Sequence, residues 1–588
     1  MTLRRLLLAA LAGFGTCGLW IALLTLELNP EVAASAADAL LLIGYFVGAY
    51  SAFGAAAALA GGLLVGLIRW TAGAEAAGLA RRVLVWVLAV TPIAGAVLLP
   101  DTGLARTLVT HALFGGPGWT ALLAAAVVGA SIAAGWGIDS LGSRLARRGA
   151  PRLLLPAGLW LVLVAGLGVT LLVRSHDGGA RAGDTKERFV TRAPKFAAWR
   201  APVVLLCIDG ADPDDAVWPL IDAGELPTLA RLRRWGVWGE LETLYPTLSP
   251  TVWTTLATGK PPAEHGVHHF VLFDLPGIGR PVRHFPLHTG LNFRLISWVE
   301  RLPGAPAIQV PYSSNLRRAR PLWDIAGEKV PVGVYGWRVT WPAQEVNGFN
   351  VSTGVTLLEE LVGDAGRFDP ADERSVYPPE AVRHLERPDS GHLAAWGHGD
   401  RTVLELTRLI EAYRPEFVAA AFYSVDGNQH RFSREPAAAG AALPEPVIAA
   451  YRRADRRLRR LLAALDETFG EVNLIVVSDH GYDFRHHHHT HAPPGMFLAN
   501  GPAFKRGKRI EGLSVYDVAP MVLHALGLPV AEDMPALASF AWRRPFRAAG
   551  WATRIATHER GSDGDARLLE PPLLEETKRR LRALGYLH

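Results

Sequence analysis

Cysteine is nearly missing. Cys17 and Cys207 are the only two in 588 residues, which excludes a disulfide scaffold and a four-cysteine metal site. Surplus charge is small as well. Against 55 Asp and Glu stand 60 Lys and Arg, a net charge of +5. That surplus is not gathered into one stripe, so no nucleic acid partner is expected. Apolar residues are plentiful at 50%, which excludes a disordered chain, and the length predicts more than one domain.

Long apolar runs crowd the first 173 residues. Five stretches lack charge: Leu6–Leu26, Ala39–Ile68, Val83–Pro100, Trp119–Ile138 and Leu153–Val173. A membrane-spanning helix needs about 20 apolar residues, so each is read as one crossing, with Ala39–Ile68 tilted or extended. Several are rich in Ala and Gly, which suits close helix packing in lipid. A cleaved signal peptide has a shorter apolar core, so the first stretch is read as an anchor. Lys and Arg alternate by side. Arg4 and Arg5, three basic residues in 69–82 and four in 139–152 fall on one side, while 27–38 has none and 101–118 only Arg106. The basic side belongs in the cytoplasm. An odd number of spans then places everything after Arg174 outside, facing away from the lipid bilayer. The expected organisation is a five-span membrane domain over 1–173, a linker over 174–200, a catalytic domain over 201–549 and a charged tail over 550–588.

Beyond the linker, short apolar runs end in polar residues. Val203–Ile208 precedes Asp209-Gly210, and Phe417–Tyr423 precedes Ser424-Val425-Asp426. Leu474–Val477 precedes Ser478-Asp479-His480-Gly481, and Val332–Tyr335 precedes Gly336-Trp337-Arg338. Such runs read as buried parallel strands. Helical patterns intervene, Val447–Phe469 among them. The expected fold is α/β, with a mostly parallel sheet and helices on both faces. Ligands in such sheets sit beyond the carboxyl ends of the strands.

A single Asp after a strand is ordinary turn chemistry. Three, joined by His, are more specific. Asp426 and His430 are four apart and share a helix face if the chain turns helical there. Asp479 and His480 are adjacent, and His486–His489 and His491 follow. Carboxylates with imidazoles are ligands for zinc or a similar ion. Six such ligands suit two metals, and two ions about 4 Å apart clamp the oxygens of a phosphoryl transfer. Ser249-Pro250 reads as a helix N-cap and first turn. The same hydroxyl, beside a metal at a helix N-terminus, would also serve as a nucleophile. The two readings stay open at this point.

The ordered series Ile208-Asp209-Gly210, Ser249-Pro250, Thr258-Gly259, His265-Gly266-Val267, Asp426 to His430, Ser478 to Gly481, His491 and Tyr516-Asp517 resembles the type I phosphodiesterase/nucleotide pyrophosphatase branch of the alkaline phosphatase superfamily. The likeness covers about 201–535. It implies an alkaline-phosphatase-like domain with two divalent ions, zinc or manganese. By position, Asp426, His430 and His491 hold one ion, with His488 and His489 as alternatives for the last. Asp209, Asp479 and His480 hold the other. The nucleophile falls nine residues before Thr258, on Ser249, with Thr251 as the alternative. The implied reaction is hydrolysis of a phosphate ester or pyrophosphate through a phosphoseryl intermediate. Nucleotide-type members carry an Asn shortly after the nucleophile; here Val252 and Trp253 occupy that place, which argues against a nucleotide substrate.

Residues 268–401 are expected to form a cap or insert, with Trp337 and Arg338 as candidate substrate contacts. Aromatic packing in the insert's own core is the other reading of its tryptophans. Two further functions fit part of the pattern: transfer of phospho-groups onto lipids or envelope glycans, and an inactive membrane scaffold. A sulfatase is disfavoured, because Ser249 is followed by Pro250-Thr251-Val252-Trp253 and lacks the spaced Pro and Arg of that signature.

Overall fold

The computed structural model describes residues 2–98, 201–283, 300, 308–352, 374–385, 401–432, 443–484, 492–534 and 554–559. The chain divides into two compact units, Met1–Arg188 with Phe273–Ile308, and Phe189–Leu272 with Gln309–His588. The expected spans Trp119–Ile138 and Leu153–Val173, the linker 174–200 and most of the tail lie outside the described residues.

The first unit opens with helices α1 (Thr2–Leu28), α2 (Pro30–Ala33) and α3 (Ala36–Leu98). Two of them are long and apolar enough to cross a membrane, over Leu6–Leu23 and Ala36–Val85. The stretch 69–82, expected as a loop, is helical except at Gly73, whose φ of 87° breaks α3. Beyond that break the chain returns, for Leu84, Val85 and Leu88 pack with Ala58 and Leu6. A straight helix would hold residues 58 and 85 about 40 Å apart at its 1.5 Å rise. Glycine also brings α1 against α3. A side chain on Gly18 would start 2.6 Å from the Phe46 carbonyl, the small-residue packing expected between apolar helices. Large apolar side chains face outward here; Leu63 is 78% exposed and Trp70 83%.

Among the described residues, the buried polar groups of this unit gather at one end. The Arg283 amide donates to Asn29 Oδ1 at 2.7 Å and the Gly279 amide to Asp38 Oδ1 at 3.0 Å. Tyr45 Oη donates to the Pro276 carbonyl at 2.7 Å. The connection between α1 and α3 thus binds a segment that the chain reaches only after entering the second unit.

The strands are β1 (Val203–Ile208), β2 (Val237–Glu242), β3 (Val271–Phe273), β4 (Gln309–Pro311), β5 (Val332–Tyr335), β6 (Gly348–Val351), β7 (Val376–Tyr377), β8 (Phe417–Phe422), β9 (Asn473–Val477), β10 (Gly495–Asn500), β11 (Lys508–Arg509), β12 (Leu513–Ser514), β13 (Val530–Ala531) and β14 (Arg554–Ile555). The second unit's main sheet runs β11-β2-β10-β9-β1-β8-β5-β6-β7, with β12 also on β2. Its centre, β9-β1-β8-β5-β6, is parallel; β10 and β7 are antiparallel to their neighbours. The sheet is therefore mixed and mostly parallel. β5 and β6 come from the expected insert 268–401, so this part of it is core sheet. β14 pairs with β13, which returns the start of the tail to this unit.

Strand alternation builds two cores. Val203, Leu205 and Cys207 enter one, Val204, Leu206 and Ile208 the other, as a period of two requires. The helices named below are α4 (Pro227–Trp235), α5 (Ser249–Thr258), α6 (Leu322–Gly327), α7 (Arg401–Tyr413), α8 (Ser424–Phe432), α9 (Glu445–Phe469) and α10 (Val518–Ala525). α5, α6 and α10 cover the first face, and α4, α7 and α9 the second.

Candidate active site

Four adjacent parallel strands end at one edge, and each delivers site residues there. Asp209 follows β1, Asp479 and His480 follow β9, Asp426 and His430 ride on α8 after β8, and Arg338 follows β5. The α8 turn brings His430 Nε2 within 3.4 Å of Asp426 Oδ1, the helical spacing its sequence implies. After β9, the Ser478 hydroxyl donates to the His480 carbonyl at 2.7 Å and accepts the Ala211 amide at 2.8 Å. This turn is thereby pinned to the one after β1.

His480 is oriented by its own backbone. Its Nδ1 lies 2.7 Å from the Gly481 carbonyl. A carbonyl can only accept, so Nδ1 carries the proton and Nε2 presents a lone pair. That Nε2 lies 3.5 Å from Asp209 Oδ1, 3.3 Å from Asp479 Oδ2 and 3.3 Å from Ser249 Oγ.

Ser249 differs from its expected place. The helix cap is Leu248, with no side-chain cap bond, and Ser249 is the first helical residue of α5. The Leu248 carbonyl takes the Thr251 and Val252 amides. Ser249 Oγ is therefore not spent on capping and faces His480 instead. Thr251, the alternative nucleophile, has a buried hydroxyl with no hydrogen-bond partner. The helix N-terminus adds partial positive charge beside Ser249.

Aromatic residues floor the site. Trp253 stacks on Tyr423 at 5.2 Å between ring centroids and meets Trp337 edge-on at 4.9 Å. Its indole N–H donates to Asp479 Oδ2 at 2.7 Å. Trp337 is fully buried and donates to the Trp253 carbonyl at 3.1 Å. Its chemistry here is packing beneath the site, the other reading offered for the insert's tryptophans. Arg338 lies over Tyr423 and donates from Nη2 to Asp209 Oδ2 at 2.7 Å.

The donor set fits a cation. Ligand atoms of Asp209, Asp426 and His480 lie within 4.8 Å of one another, all buried. Asp209 Oδ1 is buried with no hydrogen-bond donor. Burial, and then the neighbouring Asp209, pushes the Asp479 carboxyl well above the usual carboxylate range. Three buried carboxylates beside one guanidinium call for more positive charge. Burial and the nearby His480 pull His430 down to about 4, so its imidazole is neutral and able to ligate at neutral pH. His491, with His488 and His489, lies outside the described residues.

Sequence reasoning assigned no role to Trp253, Tyr423, Gln429 or Asp212. Only Gln429 carried a signal, its place inside the Asp426–His430 turn. The others act through partners distant in sequence.

Fold and site together are those of an α/β domain with a buried carboxylate–histidine centre at the carboxyl edge of its sheet. The family model of type I phosphodiesterase / nucleotide pyrophosphatase matches residues 203–494, which marks a domain of that kind there. Comparison with curated proteins finds no match. Among solved structures, phosphonoacetate hydrolase from Sinorhizobium meliloti 1021 is similar at 19% identity in complex with phosphonoformate and 21% with phosphonoacetate, each with a TM-score of 0.30. Each match covers 48% of this chain, which spans only 57% of the hydrolase's length.

Proposed function

We propose that the protein is a membrane-anchored, metal-dependent phosphate ester hydrolase whose nucleophile is Ser249. The observation that carries this reading is the 3.3 Å approach of Ser249 Oγ to His480 Nε2, at a helix N-terminus and amid three buried carboxylates. Two divalent ions, zinc or manganese, would be held by Asp209, Asp426, His430, Asp479 and His480, with His491 completing the set. Bound there, they would neutralise phosphoryl oxygens and favour the ionised serine.

The chain's own residues do the rest. Ser249 Oγ forms the bond to phosphorus as the ester oxygen departs. Water then splits the phosphoseryl ester and returns the hydroxyl. The α5 N-terminus favours the phosphate anion during both steps. Arg338 occupies Oδ2 of Asp209 and so leaves Oδ1 to be offered to an ion, whereas at Asp479 the Trp253 indole takes Oδ2 and the Gly210 amide Oδ1. The indole of Trp253 is committed to Asp479, in place of the Asn expected of nucleotide-type members. This favours a substrate other than a nucleotide.

We further propose that the domain faces the extracytoplasmic side. The loop 27–38 carries no Lys or Arg, whereas the opposite helix ends carry Arg4, Arg5, Arg69, Arg81 and Arg82. That loop binds 276–283 through Asn29, Asp38 and, from α3, Tyr45. Residues 276–283 follow the family-matched segment's Leu272 closely in the chain, which supports this orientation.

The test is turnover by the purified protein on aryl phosphate mono- and diesters, a nucleotide and a phospholipid. Ser249→Ala is expected to abolish turnover and keep its metal content. Near-normal turnover in that variant removes Ser249 as nucleophile.

A further inference from the structure

Among the described residues, the ligands come from three chain segments, after β1, on α8 and after β9. Each is held by its own backbone, yet the centre works only if all three stay in register. One buried hydrogen-bond network reaches all of them.

At its middle is Tyr451 of α9, 2% exposed. Its hydroxyl accepts the Asp212 amide at 3.1 Å and Gln429 Nε2 at 2.9 Å, and donates to the Gly210 carbonyl at 3.4 Å. Two accepted bonds and one donated bond use the full capacity of a hydroxyl. Gln429 is fully buried beside His430, and its Nε2 also donates to the Gly210 carbonyl at 3.0 Å. Both amide hydrogens are thus committed. Asp212 passes the network on, for its Oδ2 accepts the Tyr482 amide at 3.0 Å, just beyond His480. The junction is tight: a side chain on Gly210 would start 2.7 Å from Gln429 Oε1 and 2.9 Å from Asp426 Cβ. A second bond from the same helix, Arg457 Nη1 to Ser424 Oγ at 3.0 Å, holds the start of α8.

We propose that Tyr451 and Gln429 are positioning residues of the metal centre. They act by registering the Asp209, Asp426–His430 and Asp479–His480 segments against α9, and neither touches substrate or metal. The proposal rests on the metal-dependent reading above. Its physical basis is that partners behind the ligands set ligand orientation and hence metal affinity.

Tyr451→Phe keeps the ring in the core and removes only the oxygen. Gln429→Met keeps the volume and removes both donors. The full-length protein in detergent, stripped by chelator, is titrated with zinc against a chromogenic chelator of known affinity. Each variant is expected to bind zinc about 10- to 100-fold more weakly, with kcat falling more than KM. The melting temperature of the stripped protein should fall far less than that of the zinc-loaded protein. Two variants guard against one failing to fold. Zinc affinity within about threefold of wild type in both, against the about tenfold minimum expected of a positioning partner, overturns the proposal. In that case Ser249→Ala still distinguishes the hydrolase reading, which stands if its turnover is lost. A wild-type protein that binds neither zinc nor manganese overturns both.

Discussion

The two units bury opposite things. In the helical unit, apolar side chains such as Leu63 and Trp70 face outward, and the buried polar groups among the described residues collect at one end around Asn29 and Asp38. In the catalytic domain, apolar side chains fill two cores, and one cluster of buried polar groups, Asp209, Asp426, Asp479 and His480, lies at a sheet edge. An apolar exterior suits a lipid solvent, where unsatisfied polar groups cost several kcal/mol. A buried polar cluster inside a water-soluble fold is tolerable only when each group is partnered or counter-charged. The difference is the one expected if the helical unit serves as the proposed anchor and the sheet edge as the proposed centre.

Ser249→Ala should break the catalytic side most completely, with turnover falling on the order of 10³-fold or more and metal content by atomic spectroscopy unchanged. Chelation comes next. It should abolish turnover and lower the melting temperature, since ions bound only by the folded state stabilise it. Re-addition of zinc or manganese should restore both. An unchanged melting temperature would mean that Arg338 alone balances the carboxylates. On the helical side, Gly18→Leu should destabilise the α1–α3 packing by about 1–3 kcal/mol, read by unfolding in detergent, while kcat of the folded fraction stays put. Helix packing that survives this change would weaken the anchor reading.

At neutral pH the smallest expected effect belongs to a histidine outside the ligand set. His265 is buried, its Nε2 3.0 Å from Thr255 Oγ1 and its Nδ1 accepting the Val267 amide at 3.1 Å. Burial first, then the nearby Arg317, pulls its pKa from 6.5 to about 3. The folded state therefore resists its protonation. Stability owed to the neutral ring is complete above about pH 6.5 and declines as pH falls towards 3, by at most about 1.4 kcal/mol per unit. His265→Gln should flatten that part of the stability–pH curve; an unaltered slope would contradict the neutral assignment.

Much of the catalytic domain was legible because its signals are local. The run Val203–Ile208 reads as a strand and is one, and Val332–Tyr335 likewise. The Asp426–His430 spacing reads as a helix face, and α8 makes it one. Residue type and order alone brought Asp209, Asp479 and His480 into consideration. What stayed hidden depends on topology. Trp253 and Asp479 are 226 residues apart, Arg338 and Asp209 129, and Asp212 and Tyr451 239; no local pattern marks such pairs. Ser249 was ambiguous for another reason. A serine before proline fits a cap equally well, and only the placement of His480 across the sheet edge decides where its hydroxyl points.

The central claim is that Ser249 carries the phosphoryl group. The direct measurement is acid quench of the metal-loaded protein during turnover of an aryl phosphate ester, followed by peptide mass spectrometry. A phosphorylated Ser249 peptide, absent after chelation, is the predicted result. Phosphate on Thr251, or full turnover with no phosphopeptide in 249–258, would contradict it.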